Sequence, residues 1–214
     1  MPNLALLEKS RRDYGMIPVS VYRSVNPRIT VQMGLFERGQ EIDAVINSPD
    51  CMTFNELISY SLKFKDKIDE ARRTHNEEKL RDIFMFEIPC VTIAARTRTR
   101  IQGAPLVQAV KHYNSFVVLY IPAAGESKDA KATLAKLPYV FYVTESFTGR
   151  GLLVLVPVKN TEIAKHALYF NAIRAEIEAL GFEVDERTAD VTRWNLMTYD
   201  ENPYRNDDCI EFEL

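Results

Sequence analysis

The chain has 214 residues, 46% of them apolar and 27% charged, and a formal net charge of −3. That balance suits a globular protein with one sizeable core and excludes a uniformly basic, nucleic-acid-coating chain, so any contact with nucleic acid needs a local patch. No stretch approaches the ~20 apolar residues of a membrane span, and the opening MPNLALLEKSRRDYG is too briefly apolar for a signal peptide. Cys51, Cys90 and Cys209 are odd in number and far apart, with no CxxC spacing, which points away from zinc or a disulfide framework and toward a reducing cytoplasm.

In chain order, residues 16–22 and 28–36 read as short strands with a turn at Asn26-Pro27. Thr53-Phe54-Asn55-Glu56 has the spacing of a capping box, and the charged stretch to about Arg81 is helical, with a break near Thr74-His75-Asn76. Residues 88–95 return to strand. The apolar run 116–121, bounded by Asn114 and Pro122, has the pattern of a strand buried on both faces. Residues 128–137 form a helix. Two β-branched and aromatic runs within 139–158 flank Ser146-Phe147-Thr148-Gly149-Arg150-Gly151 as a hairpin. Asn160 caps a helix whose inward face is Ile163, Ala167, Phe170, Ile173, Ile177 and Leu180, stopped by Gly181. Strands at 182–185 and 193–199 close the chain. The sum is an α+β arrangement, a mixed sheet flanked by helices, with residues 1–85 elaborating a core at 86–214.

Three clusters bear on function. The hairpin loop offers Ser146 and Thr148 hydroxyls, the close backbone approach of Gly149 and Gly151, and the phosphate-pairing guanidinium of Arg150; equally, any hairpin needs glycine. Arg96, Arg98 and Arg100 alternate with threonines, so one strand face would carry three guanidinium groups: a track for a nucleic-acid backbone, or a protected edge. Asp185, Asp190 and Arg193 could form a metal- and phosphate-facing edge, or Asp190 could simply cap a turn and pair with Arg193. Of the histidines, His166 falls on the apolar side of its helix and His75 in a charged surface stretch. His112 is the one placed to approach the hairpin loop, and no two have metal-ligand spacing.

The order of these pieces, IPCVTIAARTRTR, HYNSFVVLYIP, SFTGRGLLVLVPV and VDERTADVTRWNLMTYDENPY, resembles the N-terminal domain of virulence-associated-E-type bacterial proteins, a branch of the archaeo-eukaryotic primase superfamily. The resemblance spans 86–206. Ser146, Thr148, Gly149 and Gly151 match the family's third block; Asp185, Asp190, Thr192, Arg193, Tyr199 and Asp200 match the fourth. Tyr120 and Pro122 stand at the family's two metal-binding aspartates, and Leu152 and Leu153 where a metal-binding histidine follows the glycines, leaving Asp185 as the sole retained catalytic candidate. Neither a protonated phenol nor a proline replaces a carboxylate in a two-metal cage.

The resemblance therefore implies a primase-like fold without metal or cofactor. It would serve as a binding module of a bacterial replication or mobile-element system, contacting nucleic acid or a nucleotide and working beside a helicase. The alternatives are a protein-interaction scaffold and, with relocated carboxylates and magnesium or manganese, an active nucleotidyltransferase. The expected binding residues are Ser146, Thr148, Gly149, Arg150, Gly151, Arg193, Arg96, Arg98, Arg100 and His112.

Overall fold

A computed structural model describes residues 12–23, 49–98, 106–124 and 129–214; the expected strand at 28–36 and turn at Asn26-Pro27 lie outside them. A short 3₁₀ turn, Tyr14–Met16, is capped by Asp13, whose carboxylate accepts from the Gly15 amide at 2.9 Å. It leads into β1 (Pro18–Tyr22), which pairs antiparallel with β2 (Asp50–Thr53).

Thr53 ends β2 and starts α1 (Phe54–Ser61) through the expected capping box. Its hydroxyl accepts from the Glu56 amide at 3.2 Å, and the Glu56 carboxylate accepts from the Thr53 amide at 2.7 Å. After a 3₁₀ turn come α2 (Lys65–Arg73), the break at 74–76, and α3 (Glu77–Asp82), capped by the Asn76 side chain. A π-helical turn, Ile83–Glu87, follows.

The strand expected at 88–95 is divided into β3 (Cys90–Thr92) and β4 (Ala95–Thr97). Asn114 is the cause. Its amide side chain donates to the carbonyls of Ile93 and Pro18, each at 2.7 Å, and its backbone N–H donates to Ala94, so ladder pairing is interrupted there. The chain continues as β5 (Val110–Tyr113), β6 (Phe116–Ile121), α4 (Ala130–Leu134), β7 (Tyr142–Glu145), β8 (Leu152–Pro157), α5 (His166–Ala179), β9 (Asn195–Leu196) and β10 (Tyr204–Arg205).

The fold is α+β. Among the described residues, in place of one mixed sheet there are two four-stranded sheets, β2-β1-β3-β9 and β10-β7-β8-β6, and a β4-β5 ribbon, with every pair of these strands antiparallel. β6 alternates between two cores. Phe116 and Val118 join Val19, Val21, Phe54, Val91 and Phe141 between the sheets, whereas Val117, Leu119 and Ile121 pack with Phe170, Ile173 and Ile177 of α5. Each such buried side chain contributes about 1.5–3 kcal/mol relative to exposure.

α5 keeps Phe170, Ile173 and Ile177 of its expected face, but His166 and Tyr169 complete it, while Ala167 and Leu180 are exposed. The helix starts later than expected because Asn160 caps a preceding turn, accepting from the Glu162 amide at 2.9 Å, and a 3₁₀ turn at Ile163–Lys165 resets the phase. Gly181 stops it with φ of +89°. Residues 182–185 form no strand; a single bond from the Asp185 amide to the Tyr120 carbonyl, at 2.9 Å, lays them beside β6.

Candidate functional site

Register places the site. Across the second sheet Tyr120 of β6 faces Leu153 of β8, which faces Thr144 of β7. The first sheet approaches this row through β9. Two cavities adjoin that crossing and share Leu153, Asn195 and Leu196 in their walls. One, about 290 Å³, is mainly apolar, with Phe54, Leu57 and Ile58 of α1 and Tyr142 among its walls. The other, about 520 Å³, is likewise mainly apolar, but its walls also carry hydroxyls, carboxylates and a guanidinium, and it is the candidate site.

Ser146, Thr148, Asp185, Asp190 and Arg193 all line the larger cavity, with Thr188 and the rings of Phe84, Tyr120, Phe147 and Trp194. The β7–β8 hairpin supplies the first two. Its turn is closed by Ser146 N–H donating to Gly151 O at 2.7 Å, Gly149 N–H to Ser146 O at 2.9 Å, and Gly151 N–H to the Ser146 hydroxyl at 3.1 Å. Gly149 has φ of +73°, which an L side chain rarely adopts. Gly151 is needed for a different reason: a Cβ there would stand 2.5 Å from the Tyr120 ring.

Asp185 caps the 3₁₀ turn Glu186–Ala189, accepting from the Arg187 amide at 3.0 Å. Its carboxylate also takes a forked ion pair from Arg187, with Nη2 at 2.7 Å, and this hydrogen bonding holds it below the usual carboxylate range against the opposing effect of burial. Asp190 caps the next turn, accepting from the amide and the hydroxyl of Thr192, each at 2.8 Å. Arg193 is exposed, its amide bonded to the Asp190 carbonyl. The cavity therefore combines hydroxyls, two carboxylates, one of them covered by Arg187, one guanidinium and several aromatic rings. Among the described residues no group of three or more His, Cys, Asp or Glu is arranged to hold a metal.

Other expected residues lie elsewhere. Arg96 and His112 are cross-strand partners in the β4-β5 ribbon, and a register shift after Arg96 ends the alternation that would have aligned the arginines. Arg98 is exposed beyond β4, and Arg100 lies outside the described residues. Arg150 is exposed at the hairpin tip; none of Arg96, Arg98, Arg150 or His112 lines the cavity. His75 is exposed. His166 is buried, its Nδ1 2.9 Å from the Tyr113 hydroxyl, while its Nε2 has no hydrogen-bond partner. Burial pushes its pKa down to about 4, with Asp190 acting in the opposite direction.

Sequence reasoning missed several contributors, the Tyr120 and Trp194 rings among them, and two more carry no signal at all. Phe84 reaches the cavity from the π-helical turn, and no periodicity marks it out. Arg72 stands behind the hairpin, bonded to the carbonyls of Ser146 and Phe147, and nothing in its Glu-Ala-Arg-Arg context separates it from exposed Arg73.

Residues 84–204, more than half of the chain, match the family model described as BT4734-like, N-terminal domain. No curated protein and no solved structure matches the chain. The match corrects the resemblance to virulence-associated-E-type and primase domains, because the family is a different one. The short motifs that carried the resemblance have local reasons here: positive φ at Gly149, the Tyr120 ring against Gly151, and the turn that Asp190 caps. The replication and mobile-element setting that rested on that resemblance falls with it. No helix among the described residues is long and apolar enough to cross a membrane.

Proposed function

We propose that this chain, which belongs to the BT4734-like N-terminal domain family, is a binding module that takes a nucleotide in the larger cavity. What carries the reading is the gathering of Ser146, Thr148, Asp185, Asp190 and Arg193 with the rings of Phe84, Tyr120 and Trp194 around about 520 Å³. That volume falls in the range of small-molecule sites, ~300–1,000 Å³. Each part has a matching ligand group: guanidinium for phosphate, carboxylates for sugar hydroxyls or exocyclic amines, and aromatic rings for a base. A single nucleotide fits better than a long strand, because Arg96, Arg98 and Arg150 do not continue the cavity wall into a basic track. Placing the protein in the cytoplasm is supported by its cysteine usage, three residues far apart in the sequence with no CxxC spacing.

Trp194 is the sole tryptophan and lines the cavity, so its fluorescence reports occupancy. Titration with ATP, GTP, CTP and UTP should quench or shift it saturably. Arg193→Ala should weaken binding about 10- to 100-fold, the worth of one charge-assisted hydrogen bond, and reduce the salt dependence. No response to any of the four at millimolar concentration and low salt would put the protein-interaction scaffold ahead.

A further inference from the structure

We propose that Arg72 is the positioning residue of this site: it sets where the Ser146–Gly151 turn sits against the β9 side of the cavity without lining the cavity itself. The inference rests on the nucleotide reading for its consequence, though not for its geometry. Arg72 lies in the last turn of α2, with its side chain 18% exposed, whereas neighbouring Arg73 is exposed and returns to its own helix at Asp69 O. Its guanidinium donates through Nη2 to Ser146 O at 2.9 Å and through Nε to Phe147 O at 3.3 Å. Nη2 also donates to Tyr199 O at 2.7 Å and to the Thr198 hydroxyl at 3.2 Å. Nη1 stands 3.0 Å from the Glu145 carboxylate.

These contacts join pieces that the hairpin's own bonds leave separate. The three bonds among Ser146, Gly149 and Gly151 fix the turn's shape but are all internal to it. Thr198 and Asp200 tie Glu145, at the foot of the hairpin, to the segment after β9. Arg72 extends that tie into the turn. It therefore sets the separation between Ser146, Phe147 and Thr148 on one side and Asn195 and Leu196 on the other. The turn also lies along the arginine stem, since a Cβ on Gly149 would be 3.4 Å from Arg72 Cδ. A planar fork serves several fixed acceptors at once, which a lysine's point charge does not.

The test compares Arg72→Lys, which keeps the charge, with Arg73→Lys as the solvent-facing control. Hydrogen–deuterium exchange should rise about tenfold or more over residues 146–151 in Arg72→Lys and stay unchanged over 173–177 in α5, the mark of a local rather than global opening. ATP affinity, read by Trp194 fluorescence, should fall about tenfold with its salt dependence unchanged, because no phosphate contact is removed. Arg73→Lys should alter neither. Unchanged exchange in the turn, an equal rise in α5, or wild-type ATP affinity in Arg72→Lys would each overturn the proposal. Should the wild-type protein ignore ATP, the nucleotide reading fails, and the exchange contrast still decides whether Arg72 positions the turn.

Discussion

Replacing Gly151 with alanine probes the contact on which the cavity's shape depends. Gly149 and Gly181 have positive φ but Gly151 does not, so the cost of a side chain at Gly151 is steric rather than torsional. The new methyl would lie 2.5 Å from Tyr120 Cε2, 2.9 Å from Cζ and 2.7 Å from the carbonyl oxygen of Ile121. Carbon atoms prefer separations of ~3.5–4.0 Å, so roughly 1 Å of movement is required. Ile121 is held in register opposite Leu152 and has little freedom; the Tyr120 ring must turn into the cavity it lines. Overpacking of this kind costs about 1–3 kcal/mol. For a domain of this size that lowers the thermal midpoint by roughly 2–12 °C. Circular dichroism on heating and a urea midpoint with unchanged m-value would measure it, and ATP affinity should fall as the ring intrudes. Combining Gly151→Ala with Tyr120→Ala separates the two contacts: the ring's share vanishes, giving a coupling of about 0.5–3 kcal/mol, while the carbonyl's share remains. A midpoint within 1 °C of wild type, or additive effects in the double variant, would mean that Tyr120 does not pack over Gly151.

Local signals were legible where one segment carries its own cause. Thr53 and Glu56 satisfy each other's amides, Asn76 restarts the helix after its break, and the unbroken apolar run of β6 anticipates its share in two cores. The division of 88–95 was not, because Asn114 comes from elsewhere in the sequence to take the carbonyl of Ile93. The site divides along the same line. Ser146 and Thr148 of the hairpin turn line one cavity with Asp185 and Arg193, whereas Gly149, Arg150 and Gly151 do not line it. Alternation placed Arg96, Arg98 and Arg100 on one face of a strand, but it says nothing about which sheet that strand joins, and β4 pairs with β5 in a separate ribbon. Arg72 had no signal at all, because a guanidinium turned inward on a charged helix has the same letters around it as one turned outward.

Two further outcomes concern pH. His166 has its pKa pushed down to about 4 by burial, so between the ordinary value of 6.5 and 4 the unfolded chain binds a proton that the folded chain does not. That stability is fully present above about 6.5 and falls by about 3 kcal/mol on acidification to 4; urea midpoints across this range should show a flatter profile for His166→Gln, and parallel profiles would refute the assignment. The last outcome concerns Asp200, whose nearly buried side chain meets Lys131 Nζ at 2.7 Å, the Glu145 amide at 2.8 Å and the Asn202 amide at 2.9 Å. Burial pushes its pKa up, but these donors outweigh it and hold the carboxyl below the usual 3.8. Asp200→Asn leaves Lys131 without that countercharge, and breaking a buried pair costs about 3–5 kcal/mol, here toward the low end because Lys131 keeps some water contact. Since the wild-type carboxylate contributes above the unfolded value and loses that contribution as pH falls through the lower folded one, the gap between wild type and Asp200→Asn should narrow below about pH 4. A gap that stays constant from neutral pH into that range would show that ionised Asp200 does not hold Lys131 and the hairpin's foot together.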